Sequence, residues 1–291
     1  MQQQNLVKAG LWMGAAILSF SAMAVAGREL LVHMNTFELM LYRSIIGFAC
    51  VCAVMASRPG GFGLARTRNL RLHILRNTVH FVGQNLWFYA IALIALSQVV
   101  AIEFTNPIWV ALLAPALLGE RLTRAKLVAA VLGFVGVLIV AQPGHSAFGP
   151  GQIAVAVAAL CYALNTIFTK QIMRHDPVLT VIFWMTLLQG SASLVLSIPG
   201  GIPLPTLQDL PFVAVIGLTG VTAHFALTSA LAWAPATIVA PMDFARLPII
   251  ATVGMLVYGE PLSPWVAVGA AVIIVANLIN LREGTRRPRA A

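Results

Sequence analysis

Two carboxylates and an arginine stand deep inside apolar stretches, where a charge is costly and rarely placed without a use. Glu103 is followed three residues later by Asn106 and then by Pro107. Residues three apart on a helix are neighbours, and a proline deprives the carbonyl four residues back of its amide. The segment therefore sets a buried carboxylate and a freed backbone acceptor at one level. The pattern returns as Pro241, Asp243, Arg246 and Pro248, in which Asp243 and Arg246 can pair on one face and Pro248 frees the Phe244 carbonyl. A third stretch carries Arg76, His80, Gln84 and Trp87. At about 100° per residue these fall on one helical face, within roughly 80° of one another. His224, with Thr228 one turn on, and the pair Tyr162 and Asn165 complete the polar set.

Such groups hold charged or hydrogen-bonding parts of a small molecule, and they carry protons. Glu103 has no basic residue within its own helix, which suits a proton carrier; Asp243 is the second candidate. Acidic groups (Glu103, Asp243) together with basic ones (Arg76, Arg246) suit a zwitterionic solute. Blander readings stand beside these. Asp243 and Arg246 can form a self-neutralising structural pair, Arg76 can sit at a helix end, and His224 can be a core histidine. Arg43 lies five residues after Glu38, too far for an ideal contact one turn apart, and reads as a fold-stabilising residue or a substrate contact.

The elements that must position these residues are membrane helices. Of the 291 residues, 59% are hydrophobic and 9% charged, against roughly 25% charged in a soluble domain. Apolar stretches of about 20 residues, the length that spans a bilayer, recur along the whole chain. Ten are predicted: Gly10–Ala26, Phe37–Met55, Leu70–Leu93, Ser97–Leu118, Ala125–Val140, Gly151–Met173, Val178–Ile198, Leu210–Ala232, Pro235–Tyr258 and Pro264–Leu281. Lys8, an apolar run and Ala22-Met23-Ala24 imitate a signal peptide, but the segment has a partner in the second half and reads as the first span. Cys50, Cys52 and Cys161 lack metal-type spacing and read as small core residues.

The formal charge of +9 points to loop orientation rather than nucleic acid. Of the 18 Lys and Arg residues, Arg28 falls on one side of the membrane and Arg43, Arg76 and Arg246 lie within spans; all the others share the opposite side. That side is the cytoplasm, and both termini are expected there.

The phrase Gly119-Glu120-Arg121-Leu122-Thr123 returns 140 positions later as Gly259-Glu260-Pro261-Leu262-Ser263. At the same offset Glu103-Phe104 meets Asp243-Phe244, Asn106 meets Arg246, and Gln84 meets His224. Residues 1–145 and 146–291 are thus expected to be two copies of a five-helix unit. Five is odd, so the copies would lie in opposite orientation, the inverted repeat of many secondary transporters. Glu120 and Glu260 read as structural, capping the helix that follows each.

Ten spans, two five-helix repeats and Gly-Glu-x-Leu-[Thr/Ser] after the fourth and ninth helices resemble the drug/metabolite transporter superfamily, in its EamA-type branch. The resemblance implies an all-α polytopic membrane protein with its helices around a central cavity. It implies a secondary transporter of the bacterial inner membrane, moving a small polar, amino-acid-like metabolite by alternating access, with export favoured. Uptake of a cofactor or nucleoside-like solute is the alternative. A membrane-embedded enzyme would need a nucleophile with its base or paired metal ligands such as His-Glu-x-x-His, and neither motif occurs. No nucleotide-binding motif occurs either. No cofactor or metal is expected; the expected partners are the solute, lipid and protons.

Overall fold

The computed structural model describes residues 5–120, 122–141, 149–259 and 264–285. Arg121, Gln142-Pro143-Gly144, Glu260 to Ser263, Arg286, Arg287 and Arg289 lie outside the described residues.

Every regular element among the described residues is helical. In chain order they are α1 (Leu6–Leu30), α2 (Thr36–Ala56), α3 (Leu70–Leu93), α4 (Leu96–Glu103), α5 (Asn106–Leu118) and α6 (Arg124–Ala141). Then follow α7 (Pro150–Ile172), α8 (Val178–Ser197), α9 (Leu210–Trp233), α10 (Ala236–Met242), α11 (Arg246–Tyr258) and α12 (Pro264–Thr285). Short 3-10 turns lie at Gly61–Ala65, Ile198–Gly200 and Asp243–Ala245. Among the described residues, six segments are long and apolar enough to cross a membrane: α1, α2, α7, α8 with its trailing turn, α9, and α10 continued through α11. α3 is as long as α9, but its arginines, histidines and amides lower its apolar content. The outward faces carry Leu11, Val54, Leu194 and Leu256 exposed, whereas Arg43, Arg76, His80, Gln84 and Gln189 are buried. This inside-out distribution is that of a protein surrounded by lipid.

Local sequence sets the helix ends. Asn35 and Glu38 form a capping box on α2: the Asn35 side chain accepts from the Glu38 amide, and the Glu38 carboxylate accepts from the Asn35 amide. Glu38 is thereby engaged in its own helix start. Gly119 and Gly259, at φ 70° and 64°, cap α5 and α11 in the left-handed conformation that glycine adopts without strain.

The fourth and ninth stretches are broken rather than continuous. α4 stops at Glu103 and α5 starts at Asn106; α10 stops at Met242, and after one 3-10 turn α11 starts at Arg246. The prolines cause this differently from the sequence expectation. Pro107 and Pro248 do not sit inside a helix loosening a carbonyl. Each lies in the first turn of a new helix, where a missing amide has no cost. Phe104 and Phe244, one at each break, meet edge to face with ring centroids 5.3 Å apart, so the two breaks lie together in the core.

The most extensive packing pairs α1 with α9, α3 with α7, α2 with α8 and α6 with α12. Each pair takes one helix from either half of the chain. The bounds of α3 and α9 are offset by 140 residues, as are those of α5 and α11.

Candidate functional site

The breaks place Glu103, Asp243 and Arg246 at the centre of the protein. Arg246 is 2% exposed and Glu103 6%. Arg246 Nη2 donates to Glu103 Oε1 at 2.5 Å and to Asp243 Oδ2 at 2.8 Å. The other Glu103 oxygen accepts from Trp87 Nε1 at 2.8 Å. The Phe20 and Phe104 rings flank the guanidinium, each centroid 5.3 Å from its carbon. The expectation of a Glu103 without a partner is therefore corrected: the basic neighbour missing from its own helix is supplied by α11. One arginine binds both carboxylates, which a buried guanidinium with five donors can do.

Beside this triad lies a narrow cavity with about 50 Å³ open to water, lined by His80, Gln84, Trp87, Glu103, Asn106, Tyr162, Asn165, His224, Asp243 and Arg246, with Phe20, Met23, Thr166 and Leu227. Ten of the eleven residues singled out from the sequence line it. Arg76 does not. Its Nε donates to Thr169 at 3.1 Å and its Nη1 to Asn77 at 2.7 Å, towards the end of α3 where His73 bonds Asp176 at 2.9 Å. Three buried cavity acceptors have no hydrogen-bond partner among the described residues: Asn106 Oδ1, Asn165 Oδ1 and Asp243 Oδ1. Such atoms are costly unless something satisfies them.

A second polar cluster backs the cavity wall. Arg43 Nη2 donates to Gln84 Oε1 at 3.1 Å and to Gln189 Oε1 at 2.6 Å. Gln84 Nε2 reaches His224 Nε2 at 3.2 Å, and Gln189 Nε2 reaches His80 Nδ1 at 2.9 Å. The two imidazoles meet edge to face, with centroids 4.6 Å apart. Sequence reasoning left Arg43 undecided and missed Gln189. A glutamine in the middle of an apolar span is itself the signal, because its amide needs partners inside the protein.

Glu120 joins the two halves elsewhere. Its carboxylate accepts from the Ala236 and Thr237 amides at 2.9 and 3.2 Å and from the Thr237 hydroxyl at 2.8 Å. It caps α10, across the protein, and not the helix that follows it as expected. Among the described residues no group of three or more His, Cys, Asp or Glu is placed to hold a metal ion.

The model of the EamA-like transporter family matches residues 7–142 and again residues 149–282. The chain belongs to the EamA-like transporter family. It is a multi-pass membrane transporter of a small metabolite, not an enzyme. A riboflavin transporter of Rhizobium johnstonii is 27% identical over 288 residues, covering 99% of this chain and 95% of that one. An S-adenosylmethionine uptake transporter of Rickettsia bellii is 26% identical over 270 residues, covering 92% and 91%. A solved crystal structure superposes with a TM-score of 0.77 at 19% identity, covering 95% of this chain and 97% of its own; that likeness concerns the fold alone.

Proposed function

We propose that this EamA-family protein is a secondary carrier of the bacterial inner membrane that takes up a polar solute with a heteroaromatic body. The observation that carries the reading is the cavity itself. Its three unpartnered acceptors call for a solute bearing N–H or O–H donors, and Trp87, Tyr162 and Phe20 supply aromatic walls. Riboflavin and S-adenosylmethionine, named for two relatives, both join a ring system to a hydroxylated carbon chain. The second also carries an amino-acid group, which keeps the zwitterionic expectation within this class. The name of the S-adenosylmethionine uptake relative favours uptake over export.

The mechanism is alternating access by two inverted five-helix repeats, ten spans in all, with both termini in the cytoplasm. The shared 140-residue offset of element bounds and the pairing of each half's helices with the other's support this reading. A cavity of about 50 Å³ is far below the roughly 300–1,000 Å³ of small-molecule sites, so it must widen to load the solute. Glu103 and Asp243 are the proton-coupling candidates, and the ten lining residues singled out above form the substrate site.

The test is uptake of radiolabelled riboflavin and S-adenosylmethionine by proteoliposomes, with and without an inward proton gradient. Saturable uptake of one of them, faster with the gradient, is expected. Flux of neither, with no exchange against preloaded solute, overturns the substrate class; indifference to the gradient overturns proton coupling. A phosphatase fused to the C-terminus is expected to be inactive, and periplasmic activity overturns the topology.

A further inference from the structure

Arg43 can only donate hydrogen bonds, and that fixes the direction of every bond beyond it. Both glutamine oxygens point at the guanidinium, so both glutamine NH2 groups point away from it. They meet ring nitrogens, which must then accept. His224 is therefore neutral with its proton on Nδ1, and His80 is neutral with its proton on Nε2. Those two N–H groups have no hydrogen-bond partner among the described residues, while both rings line the cavity. Arg43 is 3% exposed and touches no carboxylate among the described residues, and its Nε and Nη1 remain unpartnered. The α carbon of Gly220, which bears no side chain, admits it: a Cβ there would stand 2.9 Å from Arg43 Cγ.

We infer that Arg43, acting through Gln84 and Gln189, is a positioning residue that locks His80 and His224 in opposite tautomers, so that the pair offers two N–H donors to an acceptor edge of the solute. The inference rests on the cavity being the substrate site. The acceptor edge is either a ring carbonyl and ring nitrogen, as in a flavin, or a carboxylate, as in an amino acid. Together with the acceptors Asn106, Asn165 and Asp243, the cavity then offers the solute both donors and acceptors. A buried cation used in this way also explains why Arg43 has no counter-charge: a carboxylate at the glutamine positions could not hand a donor on to the histidines.

The test uses ¹⁵N-histidine solid-state NMR of the protein in lipid bilayers, with His80→Asn and His224→Asn assigning the two rings. The wild type is expected to show one Nδ1–H and one Nε2–H tautomer. Gln84→Glu keeps the contact to Arg43 but has no NH2 for His224, so the His224 proton is expected to move to Nε2 while His80 is unchanged. Gln189→Glu is expected to switch His80 alone. Arg43→Lys retains both tautomers, and Arg43→Leu mixes them. Unchanged tautomers in both glutamate variants overturn the inference, whatever the transport result. In flux assays Gln84→Glu is expected to raise KM about tenfold for the acceptor-bearing probe, the effect of one lost donor and one stranded solute acceptor, with kcat little changed. A rise for riboflavin alone assigns the ring edge and a rise for S-adenosylmethionine alone assigns the carboxylate; equal KM for both overturns the donor role. Because the tautomers are read without transport, a carrier of neither probe leaves the relay testable.

Discussion

Glu103→Gln removes one charge and almost no volume, so its effect can be worked from contacts. The two Glu103 oxygens take Arg246 Nη2 at 2.5 Å and Trp87 Nε1 at 2.8 Å, and both partners are donors only. A carboxamide has one oxygen, so its NH2 must face one of the two donors. One bond to a charged group is lost, worth about 1.5–3 kcal/mol. Arg246 keeps Asp243 at 2.8 Å and is not stranded, which holds the cost below the about 3–5 kcal/mol of a broken buried pair. Arg246→Gln is the severe change, because the buried Glu103 and the half-buried Asp243 lose their shared cation; its cost is expected to reach that range. Adding Asp243→Asn does not restore stability, since Glu103 still lacks its counter-charge. This differs from a self-contained pair, where the double replacement recovers most of the loss. Thermal unfolding in detergent should rank Arg246→Gln, with or without Asp243→Asn, below Glu103→Gln. Flux in proteoliposomes should fall roughly tenfold or more for Glu103→Gln, the kinetic equivalent of about 1.4 kcal/mol or more. An Arg246→Gln protein as stable as Glu103→Gln refutes the shared-cation argument. Native flux and native pH dependence in Glu103→Gln refute a role for this carboxylate in transport.

Three further outcomes follow from other contacts. Gly133→Ala would put a Cβ 2.0 Å from Phe244 Cε2, so it should lower stability by about 1–3 kcal/mol as overpacking does, read as a lower unfolding temperature; an unchanged temperature shows the ring free to move. Glu120→Ala strips the acceptor from the first amides of α10 and should cost about 0.5–2 kcal/mol as cap losses do, with Glu120→Gln milder; equal losses in the two variants count against capping. The Asp209 carboxyl is held below its usual range by the Thr206 side chain and by His33. A depressed carboxylate contributes above its unfolded value of about 3.9 and loses that contribution as pH falls through the folded value. Wild type and Asp209→Asn should therefore differ in unfolding temperature at pH 7 and converge only below about pH 4; convergence between pH 5 and 7 contradicts this.

Much of the fold could be read from the chain because lipid imposes a simple rule: every span satisfies its backbone internally and so appears as an apolar run. The candidate site's residues came together for a related reason. A charge in such a run has few tolerable places, and ten of the eleven polar residues chosen on that ground line one cavity. What stayed hidden was partnership across the halves. Glu103 looked alone because Arg246 is distant in sequence, and Glu120 looked like a local cap because α10 is as distant. Arg76 was misplaced because helical angle reports a face but not depth; it shares the face of His80 and Gln84 and lies nearer the helix start. The prolines were found correctly and read wrongly, since only the chain's path shows whether a proline interrupts one helix or begins another.

The central triad also shows how a duplicated design becomes a single site. At the 140-residue offset Glu103 matches Asp243, so each half offers a carboxylate at its helix break, and two unneutralised carboxylates there would repel. The neighbouring positions, Asn106 and Arg246, differ between the halves. Only the second half supplies a cation, and its guanidinium reaches both acids at 2.5 and 2.8 Å. The arginine thus does more than balance charge: it ties α4 to α11 through a contact that neither half could form alone. Gln84 and His224, also matched at that offset, bond each other at 3.2 Å. A donor of the solute that satisfies Asp243 Oδ1 changes what holds Arg246, and through Arg246 it changes the hold on Glu103. On the proposed reading of the cavity as the substrate site, coupling between an occupied site and the relation of the two halves would therefore run through one shared guanidinium.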